Sequence, residues 1–103
     1  MNKLALIAIL LFAPAAYAGD HTITKNSPGC MSKELLDKLA TTKSEGDEVA
    51  FKKLLLVASA SGNCVVLSKG ESVFLQDVSW SGYVKVRREG DLTEYWTLEG
   101  AIQ

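Results

Sequence analysis

Two cysteines, one histidine and a scatter of carboxylates are the side chains of this sequence whose types could do chemistry. Cys30 and Cys64 are the pair to explain. A redox pair of the thiol–disulfide enzymes needs a Cys-x-x-Cys arrangement, which the sequence lacks. A structural zinc site needs further ligands at short spacing, and the single histidine, His21, lies nine residues before Cys30. The remaining reading is one disulfide, closing a loop of about 35 residues and stabilising the fold by roughly 3.5–4 kcal/mol on a chain-entropy account. His21 falls in a polar stretch that predicts no fixed geometry, so it is no base for a nucleophile. Paired carboxylates would be needed in a cleft for glycoside hydrolysis. Asp37, Glu45, Asp47, Glu48, Asp77, Glu89 and Asp91 instead fall on helix faces and in turns, as solvated charges do. No glycine-rich loop follows a strand and opens a helix, which removes phosphate cradling. The expectation is a chain with no catalytic residue, no metal and no cofactor.

A second group has the composition of a binding surface. Phe74, Trp80, Tyr83, Tyr95 and Trp96 interleave with Lys85, Arg87 and Arg88. Trp, Tyr and Arg dominate binding hot spots. Strand alternation puts Tyr83, Lys85 and Arg87 on one face and Phe74 outward on a neighbouring strand. Trp80 lies in a loop between Ser79 and Ser81-Gly82, with no core to fill. Tyr95 and Trp96 are adjacent, so one must turn inward, and Trp96 is the better core residue. The candidate contact residues are therefore Phe74, Trp80, Tyr83, Lys85 and Arg87. Lys85 and Arg87 as plain solvated charges protecting a strand is the competing reading.

The first eighteen residues, MNKLALIAILLFAPAAYA, set the compartment. Lys3 precedes an apolar run from Leu4 to Phe12, Pro14 breaks it, and Ala16-Tyr17-Ala18 places small residues where a signal peptidase reads them. The run is about half of the ~20 residues that span a bilayer, so no stable membrane insertion follows removal of the signal. Cleavage after Ala18 leaves 85 residues, enough for one small domain. Loss of Lys3 leaves ten basic against twelve acidic residues, a net charge of −2 that gives nucleic acid no electrostatic hold. The expected location is the periplasm or the outside of the cell, where an even cysteine pair oxidises.

Residues 19–29 are polar and end in Ser27-Pro28-Gly29, which predicts a flexible leader closed by a turn. The domain then runs from 30 to 103. Ser32 can cap a helix bearing Leu35, Leu36 and Leu39 on one face. Asp47 can cap a second helix with Phe51, Leu54, Leu55 and Ala58 on its apolar side, and Gly62-Asn63 ends it. This helical pair occupies 30–61. From 62 to 103 the period changes to that of strands: 64–68, 72–78, 83–88 and 93–98, with Glu89-Gly90-Asp91 as a hairpin turn and 99–102 as a helical turn or last strand. Four or five short strands in some 40 residues predict closure into a small barrel, because a flat sheet would expose two edges.

The segments GNCVVLSKGESVFL (Gly62 to Leu75), GYVKVR (Gly82 to Arg87) and YWT (Tyr95 to Thr97) resemble the bacterial Src-homology-3-like barrels of exported proteins. The whole arrangement, helical pair and cysteines included, is similar to small uncharacterised periplasmic proteins of proteobacteria. The resemblance implies an α+β fold, with the helical pair packed on an antiparallel Src-homology-3-like barrel. The opening tyrosine motif with which eukaryotic members grip proline-rich peptides is missing, so that mode of recognition does not carry over. Bacterial members are often attached to cell-wall enzymes. Two functions remain open. One is an interaction module binding a protein or peptidoglycan-related ligand of the envelope. The other is an inhibitor or immunity protein that blocks an exported enzyme or toxin, with the Asp77 to Gly82 loop as its anchor. A structural accessory without a discrete site is a third possibility.

Overall fold

The computed structural model describes residues 19–103, so the expected signal segment, 1–18, lies outside the described residues. Its elements are β1 (His21–Thr22), β2 (Ser27–Cys30), α1 (Lys33–Ser44), α2 (Glu48–Ala60), β3 (Cys64–Leu67), β4 (Ser72–Val78), β5 (Tyr83–Arg88) and β6 (Glu94–Leu98). A single 3-10 turn, Glu99–Ala101, follows β6. All strands pair antiparallel in one sheet of order β1-β4-β5-β6-β2-β3. The fold is α+β, as the sequence predicts.

Both helices start where a side-chain cap is available. Ser32 Oγ accepts from the Leu35 amide at 3.0 Å, and Asp47 Oδ1 accepts from the Ala50 amide at 3.0 Å. Glu34 and Glu48 then sit in the first turns, the favourable place for negative charge. The apolar sides of both helices meet one face of the sheet, where Leu36, Leu39 and Ala58 are buried against Cys30, Cys64 and Trp96. Phe51, Leu54 and Leu55 pack around that cluster. The opposite face of the sheet holds a second cluster of Ile23, Leu67, Val73, Val84 and Val86. Strand β5 serves both by alternation, with Tyr83 toward the helices and Val84 and Val86 toward the second core.

Cys30 and Cys64 are bonded to each other. They are direct partners across β2 and β3, with Cα atoms 4.1 Å apart. The Met31 amide donates to the Asn63 carbonyl at the neighbouring position, so the cysteines occupy a non-hydrogen-bonded pair, the closer of the two antiparallel spacings.

Three expectations need correction. The leader is not a leader, since residues 21–22 and 27–30 form strands, and two strands precede the helices. The turn signal in Ser27-Pro28-Gly29 is overridden by its surroundings. Pro28 lacks an amide, but that side of β2 faces β6, where the Thr97 hydroxyl donates to the Pro28 carbonyl at 2.9 Å in place of a backbone ladder. A Cβ on Gly29 would lie 2.9 Å from Leu67 Cδ1 and 3.2 Å from Tyr95 Cβ, so the glycine permits close packing. Lastly, the sheet is not closed into a barrel: β1 and β3 are its two ends. It curls far enough that Leu67 of β3 and Val73 of β4 share one core. Ile23 bridges part of the remaining gap, accepting from the Gly70 amide and donating to the Glu71 carbonyl, and it also pairs with Ile102. The short β1, only two residues long, keeps the edge from becoming a long docking strand.

The Thr97 hydroxyl also accepts from Ser27 Oγ at 3.0 Å, and both residues are buried. Thr97→Val should therefore strand the Pro28 carbonyl and the Ser27 hydroxyl without partners, at a cost of about 1–3 kcal/mol in urea unfolding. A change within ~0.5 kcal/mol, the size of an ordinary surface substitution, would mean this bond does not join β2 to β6.

Candidate functional site

The five candidate contact residues divide into four environments. Phe74 and Arg87 are direct cross-strand partners on β4 and β5, and the Arg87 guanidinium carbon lies 4.5 Å from the Phe74 ring centroid. One Arg87 amino group also donates to the Asp91 carbonyl at 3.0 Å. Lys85 lies opposite Trp96, its Nζ 5.0 Å from the Trp96 ring centroid and 3.5 Å from Glu94 Oε1. Lys33, at the start of α1, places a second ammonium 4.9 Å from the same ring. Arg88 pairs with Glu71 at 2.8 Å. These cations are engaged by the protein's own rings, carbonyls and carboxylates, each cation–π contact worth about 0.5–1 kcal/mol at an exposed site. The basic face is therefore largely self-compensated, with Lys85, Arg87 and Arg88 each engaged within the protein.

Tyr83 is tied to the helical layer. Its hydroxyl donates to Asp37 Oδ1 of α1 at 2.7 Å, and its ring packs beside the disulfide cluster. That hydrogen bond, aided by partial burial and the negative charge of Asp37, pushes the phenol up to about 12. The sequence places both residues facing water, whereas packing of α1 across β5 joins them.

Trp80 is different: its side chain is fully exposed. It sits in the turn between β4 and β5, and that turn is held by its own hydrogen bonds. The Ser79 amide donates to the Tyr83 carbonyl at 2.8 Å, the Ser79 and Ser81 hydroxyls bond at 2.7 Å, and the Ser81 amide donates to Ser79 Oγ at 3.2 Å. Gly82 turns through φ +84°, and its carbonyl accepts from the Glu99 amide at 2.9 Å. A register shift between Leu75 and Asp77 pairs Asp77 with Lys85. Such bulges increase local twist and re-aim the strand end. Exposed Val78 extends the apolar surface beside Trp80. On the α1 side of the same turn a hollow of about 240 Å³ is lined by Lys33, Glu34, Asp37, Ser81 and Tyr83. The site is thus an aromatic ridge beside a shallow hollow, whose walls are largely the carbon parts of charged and hydroxyl-bearing side chains. Sequence reasoning found the ridge but missed Lys33, Glu34, Asp37 and Ser81, because nothing in a single sequence signals that the first turns of α1 abut the β4–β5 turn.

Two further places carry residues of the types that build sites. A more enclosed cavity, about 190 Å³, lies between β2 and the helices, with Pro28, Leu36, Ala40 and Phe51 among its walls. Ligand pockets usually run 300–1,000 Å³, so it is small for a substrate site. His21 lies in β1, its Nδ1 2.9 Å from Asp20 Oδ1. That contact, with the Leu75 amide, holds the Asp20 carboxyl below its ordinary range. Among the described residues no cluster of three or more His, Cys, Asp or Glu side chains could hold a metal, and no helix is long and apolar enough to cross a membrane.

Compared with known protein families, curated proteins and solved structures, the chain matches none. The resemblance to exported Src-homology-3-like proteins accordingly rests on its short motifs alone.

The Tyr83–Asp37 bond has a spectroscopic consequence. Absorbance of phenolate should show Tyr83 ionising near pH 12, and Asp37→Asn should bring that step back toward the ordinary value of ~10. Because the folded-state value is raised, the stabilisation is complete below the unfolded value and is lost as pH climbs from about 10 to 12. An unchanged titration in Asp37→Asn would break the proposed link between α1 and β5.

Proposed function

We propose that this protein is a non-catalytic interaction module of the periplasm or cell exterior, which grips a protein partner with the Trp80 turn and the adjoining hollow. The single observation that carries the reading is a fully exposed tryptophan on a turn fixed by several hydrogen bonds. A small protein gains nothing for its own core from such a ring, and exposing it to water is unfavourable. Presented on a rigid turn, it can be buried in a partner at little entropic cost, which is how preorganised anchors contribute affinity. Polar groups of the hollow, chiefly the Lys33 ammonium and the Asp37 and Glu34 carboxylates, would supply the hydrogen-bonding rim that surrounds an apolar anchor. The Phe74–Arg87 pair lies at the far end of β5 from this turn, roughly 13 Å beyond Tyr83 at strand rise, and belongs at most to that rim.

The manner in which the ring projects favours a second reading within the same site. An anchor on a hairpin turn suits insertion into a cleft better than apposition to a flat surface. Inhibition of an exported enzyme or toxin, the immunity-type role, is the form of binding that uses such an insertion.

The export reading of residues 1–18 and the disulfide are compatible with an envelope partner. The test is capture from a periplasmic extract with the purified domain, followed by titration of the captured protein. Trp80→Ala should weaken binding by about thirtyfold or more, the effect of losing a hot-spot residue, while leaving the melting temperature within a degree. Arg87→Ala should change affinity by less than about fivefold. If the partner is an enzyme whose activity falls stoichiometrically, the inhibitor reading is selected. Equal binding by wild type and Trp80→Ala would remove the turn as the site.

A further inference from the structure

Gly19 is the residue that follows the Ala16-Tyr17-Ala18 triplet. Its nitrogen donates to Glu89 Oε2 at 3.0 Å, in the turn between β5 and β6 and seventy positions away in sequence. The seat is tight. A Cβ on Gly19 would lie 2.5 Å from both the backbone nitrogen and oxygen of Val73, so no other residue fits without moving β4. The next residues complete the docking: Asp20 Oδ1 accepts from the Leu75 amide at 3.1 Å, and His21 pairs with Val73.

In the uncut chain the Gly19 nitrogen is a neutral amide with one hydrogen to donate. Hydrolysis of the Ala18–Gly19 peptide bond, by water at a signal peptidase, adds the water oxygen to the Ala18 carbonyl carbon, leaving a carboxylate. The Gly19 nitrogen gains the protons and becomes an ammonium. That ammonium would arise at a point already facing a carboxylate. We propose that Gly19 is the N-terminus of the mature protein and that its α-ammonium forms an ion pair with Glu89, so that processing itself fastens β1 and the edge of β4 to the β5–β6 turn. The inference rests on reading residues 1–18 as a removed export signal. The other charges near this corner are already paired with one another, which leaves Glu89 as the partner of the Gly19 nitrogen. Asp20 and Glu71 are acidic, the Arg88 guanidinium is already paired with Glu71, and His21 is bonded to Asp20. The α-amino group should therefore titrate above its ordinary ~7.7–8.0. The sign follows: the stabilisation from Glu89 is complete below about pH 7.5 and disappears as pH rises through the elevated value.

The full chain, exported in a bacterium and recovered from the periplasm, tests both layers. Intact mass should give a protein starting at Gly19, and NMR titration should show its α-amino group elevated in wild type and ordinary in Glu89→Gln. At pH 6 the unfolding equilibrium constant should rise about two- to fivefold in Glu89→Gln, the range of an exposed ion pair, and the difference should vanish at pH 10. A second variant, with one alanine inserted between Ala18 and Gly19 and retained after cleavage, should show the same loss. A mass beginning at Met1 overturns the export reading and the inference with it, and a cut at any other residue overturns the inference alone. A Gly19 start with identical α-amino titration in wild type and Glu89→Gln overturns the ion pair and leaves the export reading standing.

Discussion

The covalent bond between Cys30 and Cys64 is the constraint on which the rest of this structure depends. It joins the strand before the helices to the strand after them, at directly opposed positions, so the whole helical excursion from 31 to 63 is a loop closed at its base. The two sulfurs are also the floor on which the helices pack. Leu36, Leu39 and Ala58 close over them, and Trp96 of β6 borders them from the sheet. Helices of twelve and thirteen residues are marginal in isolation. Here they are stable because their apolar sides have a fixed surface to cover.

From that joint the remaining architecture follows in order. Trp96 faces the helices, so its neighbours Tyr95 and Thr97 face the other way, and all three are buried because the sheet is covered on both sides. Thr97 replaces the backbone ladder that Pro28 cannot make. Strand β5 carries Tyr83 into the helical layer, where it meets Asp37 and sets the distance between α1 and the β4–β5 turn. That distance creates the hollow beside Trp80. The candidate site is therefore a product of the helix–sheet joint rather than of the loop alone.

Much of this was legible in the residues themselves. Ser32 and Asp47 announce the helix starts, and Leu36, Leu39 and Ala58 announce the buried sides. The alternation of Tyr83 to Arg88 gives β5 its limits. What could not be read was decided by tertiary partners. Ser27-Pro28-Gly29 has the composition of a turn, and only the Thr97 hydroxyl and the close approach of Leu67 make it a strand. His21-Thr22 is too short to carry a periodic signal, and becomes a strand because β4 offers Val73 and Ser72 as partners. Strand count predicts closure, but such a count does not say whether the strands at the two ends of the sheet meet. At the site, type and context single out Trp80, whereas the surroundings of the basic residues are set by tertiary contacts. A single sequence does not show that Arg87 stacks on Phe74 or that Lys33 and Lys85 flank Trp96.

Amide hydrogen exchange with and without the disulfide tests this account most directly. In oxidised protein the slowest amides should belong to β2, β3 and β6 around Cys30 and Cys64, with α1 and α2 protected together with them. In a Cys30→Ala/Cys64→Ala variant, protection should collapse in both helices and β3 as one unit, with overall stability lowered by about 2–4 kcal/mol. Helices that keep their full protection without the bond would contradict it.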